Sequence, residues 1–196
     1  HFGLVVNRNA AIETPQDLVG KTVGTPDWGF NPAVWLRGIL AHQYNVPLEK
    51  VFWRESEATP LFPKIGYPRS SRYEIEKIRP PENVRLSQKD SYGMPTLLDQ
   101  HQLDALSMAG FGTTTPNVRR LFNDPLEEAR DYVAATGLIP INTLFVIKEE
   151  RAERYPDLAP AIMETIAAAS KSYAAEIARG TTGNDTYVPV KFARDA

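Results

Sequence analysis

The sequence has no cysteine, which excludes disulfides, thiolate catalysis and cysteine-ligated metals. Histidine is scarce: His1, His42 and His101 stand far apart, without metal-ligand spacing. No apolar run approaches the roughly 18–20 residues that a membrane-spanning helix needs, so no membrane insertion is expected. Neither sign of charge dominates, since 22 Lys and Arg face 24 Asp and Glu for a net charge of −2. That balance gives no footing for nucleic acid or an anionic membrane as partner. The first residues lack the basic start and apolar core of a signal peptide. Instead Phe2-Gly3-Leu4-Val5-Val6 opens directly on a strand-like run, a start expected of a fragment or a processed product.

What is present suits a globular chain. Its 196 residues are 42% hydrophobic and 23% charged, enough for one domain with a proper core or for two small lobes. Leu4–Val6 reads as a buried strand ended by the turn Asn7-Arg8-Asn9. Thr14-Pro15 is a cap followed by a first-turn proline, and Gly20 breaks the short helix they start. Lys21–Thr25 and Val51–Trp53 read as strands. The segment Ala33–Tyr44 is predicted helical, with Val34, Trp35, Gly38, Ile39 and Tyr44 mostly on one face. From Glu55 to Asn83 five prolines interrupt a charged stretch, predicted as an excursion carrying a loop or a β-hairpin. Tyr92–Gln100 is predicted helical, Leu103–Ser107 a strand, Val118–Phe122 the start of a helical turn, and Glu127–Ala135 mixed. Leu144–Ile147 reads as a strand, and Pro156–Arg179 as a long helix with Leu158, Ile162, Ile166 and Tyr173 on one stripe. Strands thus alternate with helices, which predicts an α/β fold whose parallel or mixed sheet is covered on both faces.

The run Ile12-Glu13-Thr14-Pro15-Gln16-Asp17-Leu18-Val19-Gly20-Lys21-Thr22-Val23-Gly24 resembles the opening of the second lobe in type II periplasmic binding proteins. Val34-Trp35-Leu36-Arg37-Gly38-Ile39-Leu40 with Tyr44-Asn45-Val46 resembles the 4,5-dihydroxyphthalate decarboxylase family within that superfamily. So do Pro81–Arg85, Leu103–Leu106, Val118–Phe122 and Thr136–Ile141. The resemblance implies a periplasmic-binding-protein-like fold of two lobes, with mixed sheets joined by crossing strands and the first lobe incomplete in this chain. Residues 1–10 would be a crossing strand from the first lobe and 11–140 the second lobe. Residues 141–180 would be a return strand and long helix of the first lobe, with 181–196 a tail.

Within that frame the turn Pro26–Asn31 is the leading binding candidate, because it joins a strand's end to a helix start where backbone amides and the helix dipole favour an anion. Trp28 and Phe30 could cover an aromatic ring while Gly29, Asn31 and the following amides hold a carboxylate. The plainer alternative is an ordinary capped turn with partly buried aromatics. Trp35 and Arg37 follow on the helix; core packing is the alternative for the first, and solvation or pairing with a carboxylate for the second. His1 aligns with a family histidine at the crossing strand, which makes it the candidate catalytic proton donor, with a purification-tag remnant as the rival reading. Asp27 and Glu55 are reserves for that role. His101 is expected in a surface turn and His42 exposed. Gly110, Thr113 and Asn142 complete the candidate ligand set. Gly110 stands where the family tends to have arginine, and Thr143 where it has a frequent histidine.

The resemblance implies removal of carbon dioxide from a hydroxylated aromatic carboxylate, with no cofactor and no metal required. The alternative is a non-catalytic solute-binding protein serving an ABC-type transporter, and a regulatory ligand-binding domain is a third reading. The expected partner is a small anionic or aromatic carboxylate, and homo-oligomerisation stays open. The first function predicts a cytoplasmic protein and the alternative a periplasmic one.

Overall fold

The computed structural model describes residues 3–57, 73–79, 93–107, 115–141 and 143–179. The chain divides into two compact units, His1–Asn142 and Thr143–Ala196. In the first, six strands form one sheet: β1 (Leu4–Asn7), β2 (Thr22–Thr25), β3 (Phe52–Ser56), β4 (Ile75–Ile78), β5 (Ala105–Ser107) and β6 (Val118–Arg120), in the order β4-β3-β2-β5-β1-β6. Strands β4, β3, β2 and β5 run parallel, while β1 is antiparallel to both β5 and β6, so one reversed strand is inserted among five that share a direction. The helices of this unit are α1 (Asn31–His42), α2 (Met94–Asp99) and α3 (Pro125–Thr136). The mixed α/β class read from the alternating pattern is what the structure has.

Alternation along the strands builds the two faces. Leu4, Val6, Val23, Trp53 and Ala105 point to one side, where Leu36, Ile39 and Leu40 of α1 and Tyr132 of α3 close the larger core. Val5 and Leu106 point to the other, against Met94, Leu97 and Leu98 of α2. Gly24 belongs to this second face. A Cβ there would come within 2.6 Å of Leu103 Cδ1 and 2.8 Å of Met94 Cε, so the close approach of α2 depends on its missing side chain. Asn7 is buried at the end of β1 and satisfied: its Nδ2 donates to the Leu98 carbonyl at 2.7 Å and its Oδ1 accepts from the Asn9 amide at 2.9 Å. This ties the strand to the end of α2.

The cap at Thr14 holds as read. Asp17 Oδ2 accepts from the Thr14 and Glu13 amides at 2.8 and 3.0 Å over the short 3-10 turn Pro15–Leu18. Other expectations are corrected. Val118–Arg120 is a strand rather than a helical turn, because register with Val5–Asn7 pairs its backbone along the edge of β1. The mixed reading of Glu127–Ala135 gives way to α3, whose start the Asp124 side chain caps through the Leu126 and Glu127 amides. The excursion after Glu55 supplies β4, but parallel to β3, which a hairpin cannot produce. Residues 58–72 and 80–92 lie outside the described set. In α1 the buried face is Pro32, Ala33, Leu36, Ile39 and Leu40, and Val34 is exposed, so the expected stripe was turned about the axis.

The second unit contains α4 (Glu149–Arg154), which the pattern did not announce, and α5 (Leu158–Ala178). The stripe read for α5 is partly visible: Leu158, Ile162 and Ile166 are half-buried and Tyr173 is exposed. Leu144–Ile147 is not a strand. It pairs with no described residue, and Leu144, Phe145 and Val146 are 75%, 84% and 89% exposed. β-branched and aromatic residues favour a strand only where a neighbouring strand receives their backbone groups.

Candidate functional site

The turn Pro26–Phe30 leaves the carboxyl end of β2 and delivers the chain into α1. The amides of Trp28, Gly29 and Phe30 are already used by carboxylates and a carbonyl of the protein. Trp28 N–H donates to Glu55 Oε1 at 2.9 Å, Gly29 N–H to Asp27 Oδ1 at 2.8 Å, and Phe30 N–H to the Asp27 carbonyl at 3.3 Å. The Ala33 and Val34 amides donate to the Phe30 carbonyl at 2.9 and 3.0 Å, and Pro32 has no N–H. Of the amides following Asn31, which were expected to hold a carboxylate, those of Ala33 and Val34 thus have partners within the chain. Asp27 and Glu55, two acids of this chain, are the carboxylates that accept the Gly29 and Trp28 amides.

The Trp28 side chain turns inward, at 6% exposure. It meets Trp53 edge-on at 5.4 Å between ring centroids and Tyr73 at 5.8 Å. Arg37, one and a half turns into α1, lays its guanidinium 3.6 Å from the Trp28 ring centroid and donates from Nη2 to the Trp28 carbonyl at 2.8 Å. Its Nη1 is buried and has no hydrogen-bond partner among the described residues. Burial disfavours the cation and lowers the Arg37 pKa to about 10, against the opposing pull of Tyr73, Asp27 and Glu55.

Glu55 is the acid that holds this arrangement, at 4% exposure on the same strand face as Trp53. One oxygen takes the Trp28 amide and the other meets Lys77 Nζ at 2.6 Å, across the β3–β4 register that sets Glu55 opposite Lys77. A carboxylate taken out of water needs such partners. Asn31 Nδ2 and Trp35 Nε1, by contrast, face outward and donate to one acceptor, the Ile141 carbonyl, at 2.9 and 2.8 Å.

Of the residues singled out from the sequence, the structure thus brings Trp28, Gly29, Phe30, Asn31, Trp35 and Arg37 together around one turn, and adds Asp27 and Glu55. His1, Gly110, Thr113 and Asn142 lie outside the described residues. Sequence reasoning missed Lys77, Tyr73 and the Ile141 carbonyl. Lys77 comes from β4, separated from β3 by a long excursion, and no local spacing announces it. The Ile141 contact is made by main chain, which carries no residue signature at all. His42 is exposed, and His101 sits in an exposed turn with φ of 57°, its Nε2 3.1 Å from Asp104 Oδ1. Among the described residues no cluster of acidic and histidine side chains is placed to hold a metal ion, and no helix is long and apolar enough to cross a membrane.

No protein-family model matches the chain. It is 26% identical over 200 aligned positions to the 4,5-dihydroxyphthalate decarboxylase of Comamonas testosteroni, an alignment covering 100% of the chain and 57% of the relative. It is 24% identical over 140 positions to the 4,5-dihydroxyphthalate decarboxylase of Pseudomonas putida, covering 69% of the chain and 51% of the relative. The chain spans about half the length of the curated relatives it matches. Along its whole length, then, this α/β chain is a distant homologue of a protein named 4,5-dihydroxyphthalate decarboxylase, the family that Val34–Leu40 resembles.

Proposed function

We propose that the chain is part of a cleft-forming protein that removes carbon dioxide from a hydroxylated aromatic carboxylate. The observation that carries this reading is the alignment of the entire chain with a 4,5-dihydroxyphthalate decarboxylase. The topology agrees with it: the reversed strand β1 lies between parallel neighbours, as a strand entering from another lobe would. In this reading unit 1 is the second lobe of a periplasmic-binding-protein-like fold. Ligands of open α/β sheets collect beyond the carboxyl ends of parallel strands, the edge where Pro26–Asn31 leaves β2.

The Trp28, Gly29 and Phe30 amides are engaged, so the proposed ligand contacts are the rim side chains of Phe30, Asn31 and Trp35, the last two exchanging the Ile141 carbonyl for the ligand, with Arg37 and Trp28 as the backing. Gly110, Thr113 and Asn142 complete the proposed ligand set. His1 is the proposed proton donor to the ring carbon that loses carbon dioxide. A phenol on the ring takes up charge as the carboxylate departs, and closure of the site removes water from it.

The second reading is a non-catalytic solute-binding protein. Gly110 and Thr143, standing where the family pattern has arginine and histidine, favour it. Turnover decides between the two. Full-length protein given 4,5-dihydroxyphthalate should release carbon dioxide, and His1→Ala should slow the release. A ligand that raises the melting temperature with concentration, yet is never converted, supports the receptor instead.

A further inference from the structure

Strand β4 reaches the sheet after a long excursion, so no tight turn sets how it lines up with β3. Its apolar pattern does not set the alignment either. Ile75 and Ile78 are three residues apart and lie on opposite faces, the first against the larger core and the second against the smaller. Both are half-buried. A slip of one residue exchanges the faces of the whole strand and still leaves one isoleucine on each. The charge pattern does not survive a slip. In the observed register Arg54 faces Glu76, with Nη2 and Oε2 2.9 Å apart, and Glu55 faces Lys77, with Oε2 and Nζ 2.6 Å apart. Just past the strand ends, Arg79 Nε meets Glu57 Oε2 at 3.0 Å. Moving β4 one residue in one direction sets Lys77 against Arg54. Moving it the other way sets Glu76 against Glu55, which is only 4% exposed. Like charges placed opposite each other destabilise a sheet, most of all where water is excluded.

We propose that charge, rather than apolar burial, selects the register of β4, and that a second register lies one residue away, disfavoured by the same charges. Each cross-strand pair shifts the balance about 1.5- to 5-fold, so the pairs acting together leave one register populated. The choice reaches the candidate site. The observed register is the one that brings Lys77 to Glu55, whose other oxygen accepts the Trp28 amide. Register selection is independent of the ligand, because it uses only contacts between β3 and β4.

Exchanging the two charges is the test. In the full chain carrying both Glu76→Lys and Lys77→Glu, the observed register opposes like charges at both positions. A one-residue slip instead sets the new lysine against Glu55. Amide NOEs between β3 and β4 in isotope-labelled protein read the register directly, and Glu55 should pair with position 76 in place of 77. The milder pair, Glu76→Gln with Lys77→Gln, removes the bias without reversing it. It should give two sets of β3–β4 cross-peaks, the slipped set at about a tenth of the total or more. Tyr73, packed on Trp28 at 5.8 Å just ahead of the strand, is the rival anchor. If Tyr73 fixes β4, the exchanged pair keeps the parent register and the glutamine pair shows one set of peaks; either result overturns charge selection. A β4 that leaves β3 in the exchanged variant, with the rest of the sheet intact, overturns it too, because the slipped register is then no stable alternative. Where the exchanged variant does not fold, the glutamine pair, which sets no like charges together, decides.

Discussion

Leu4–Asn7 and Leu144–Ile147 are written in nearly the same alphabet, with leucine, valine and no charge between them. The first is a buried strand with neighbours on both edges, and the second carries Leu144, Phe145 and Val146 into solvent without strand structure. Side-chain preference for extended backbone is common to both. They differ in whether a second segment receives the amides and carbonyls. Strand formation is thus a property of a pair of segments, and an apolar run read alone identifies only one half of it.

The sharpest way to break this contrast is to truncate one aromatic on each side of it. Trp53→Ala opens a cavity beneath Trp28 and Leu48 and should cost about 3–5 kcal/mol by denaturant unfolding. Phe145→Ala should change stability by less than about 0.5 kcal/mol. Equal losses at the two positions would end the distinction. Next in size, Gly24→Ala pushes a methyl into Leu103 and Met94 on the second face of the sheet, at an expected cost of about 1–3 kcal/mol. Met94→Ala in the same chain should return part of that loss by making room.

Polar pairs across the sheet sharpen the comparison further. Lys77→Met takes from the Glu55 carboxylate its 2.6 Å ion pair. Because the Lys77 side chain is 39% exposed, the expected loss is discounted to about 1–2 kcal/mol. The tryptophan emission of Trp28 should shift with it, since the turn loses one of its supports. The smallest effect belongs to a contact made wholly within one turn. The Thr14 and Glu13 amides hold the exposed Asp17 carboxyl below its usual pKa of 3.8. A carboxyl with a depressed folded pKa contributes stability that is fully present above pH 3.8 and is lost as pH falls through the folded value. Asp17→Asn should therefore lower stability slightly at neutral pH, match the parent at low pH where the carboxyl is already protonated, and so flatten the acid side of the profile.

The same distinction explains what could be read from residues alone. Local signals were legible: the Thr14-Pro15 cap, the helix read over Ala33–Tyr44 and found at Asn31–His42, and the apolar run that makes Leu4–Val6 a strand. Asp124-Pro125 carries an equally good local signal, the cap and first-turn proline that start α3 ahead of the mixed pattern of Glu127–Ala135. Pairing was not legible. Val118–Arg120 became a strand through β1, and β4 joined the sheet across a long excursion, neither of which any window of sequence contains. The candidate site follows suit. Its turn residues are contiguous and were found, whereas Lys77 and the Ile141 carbonyl reach it only through register and main-chain placement. What the sequence could not indicate was the use of Asp27 and Glu55 as the turn's own acceptors, since a carboxylate reads alike whether it is a catalytic reserve or a structural anchor.

Native-state hydrogen exchange on the full chain is the direct measurement of whether pairing separates these two segments. The Val5 and Val6 amides should open only with global unfolding, while the amides of Leu144–Ile147 exchange within about ten-fold of an unstructured peptide. Comparable protection in both segments would contradict the account, because the second would then have a strand partner of its own.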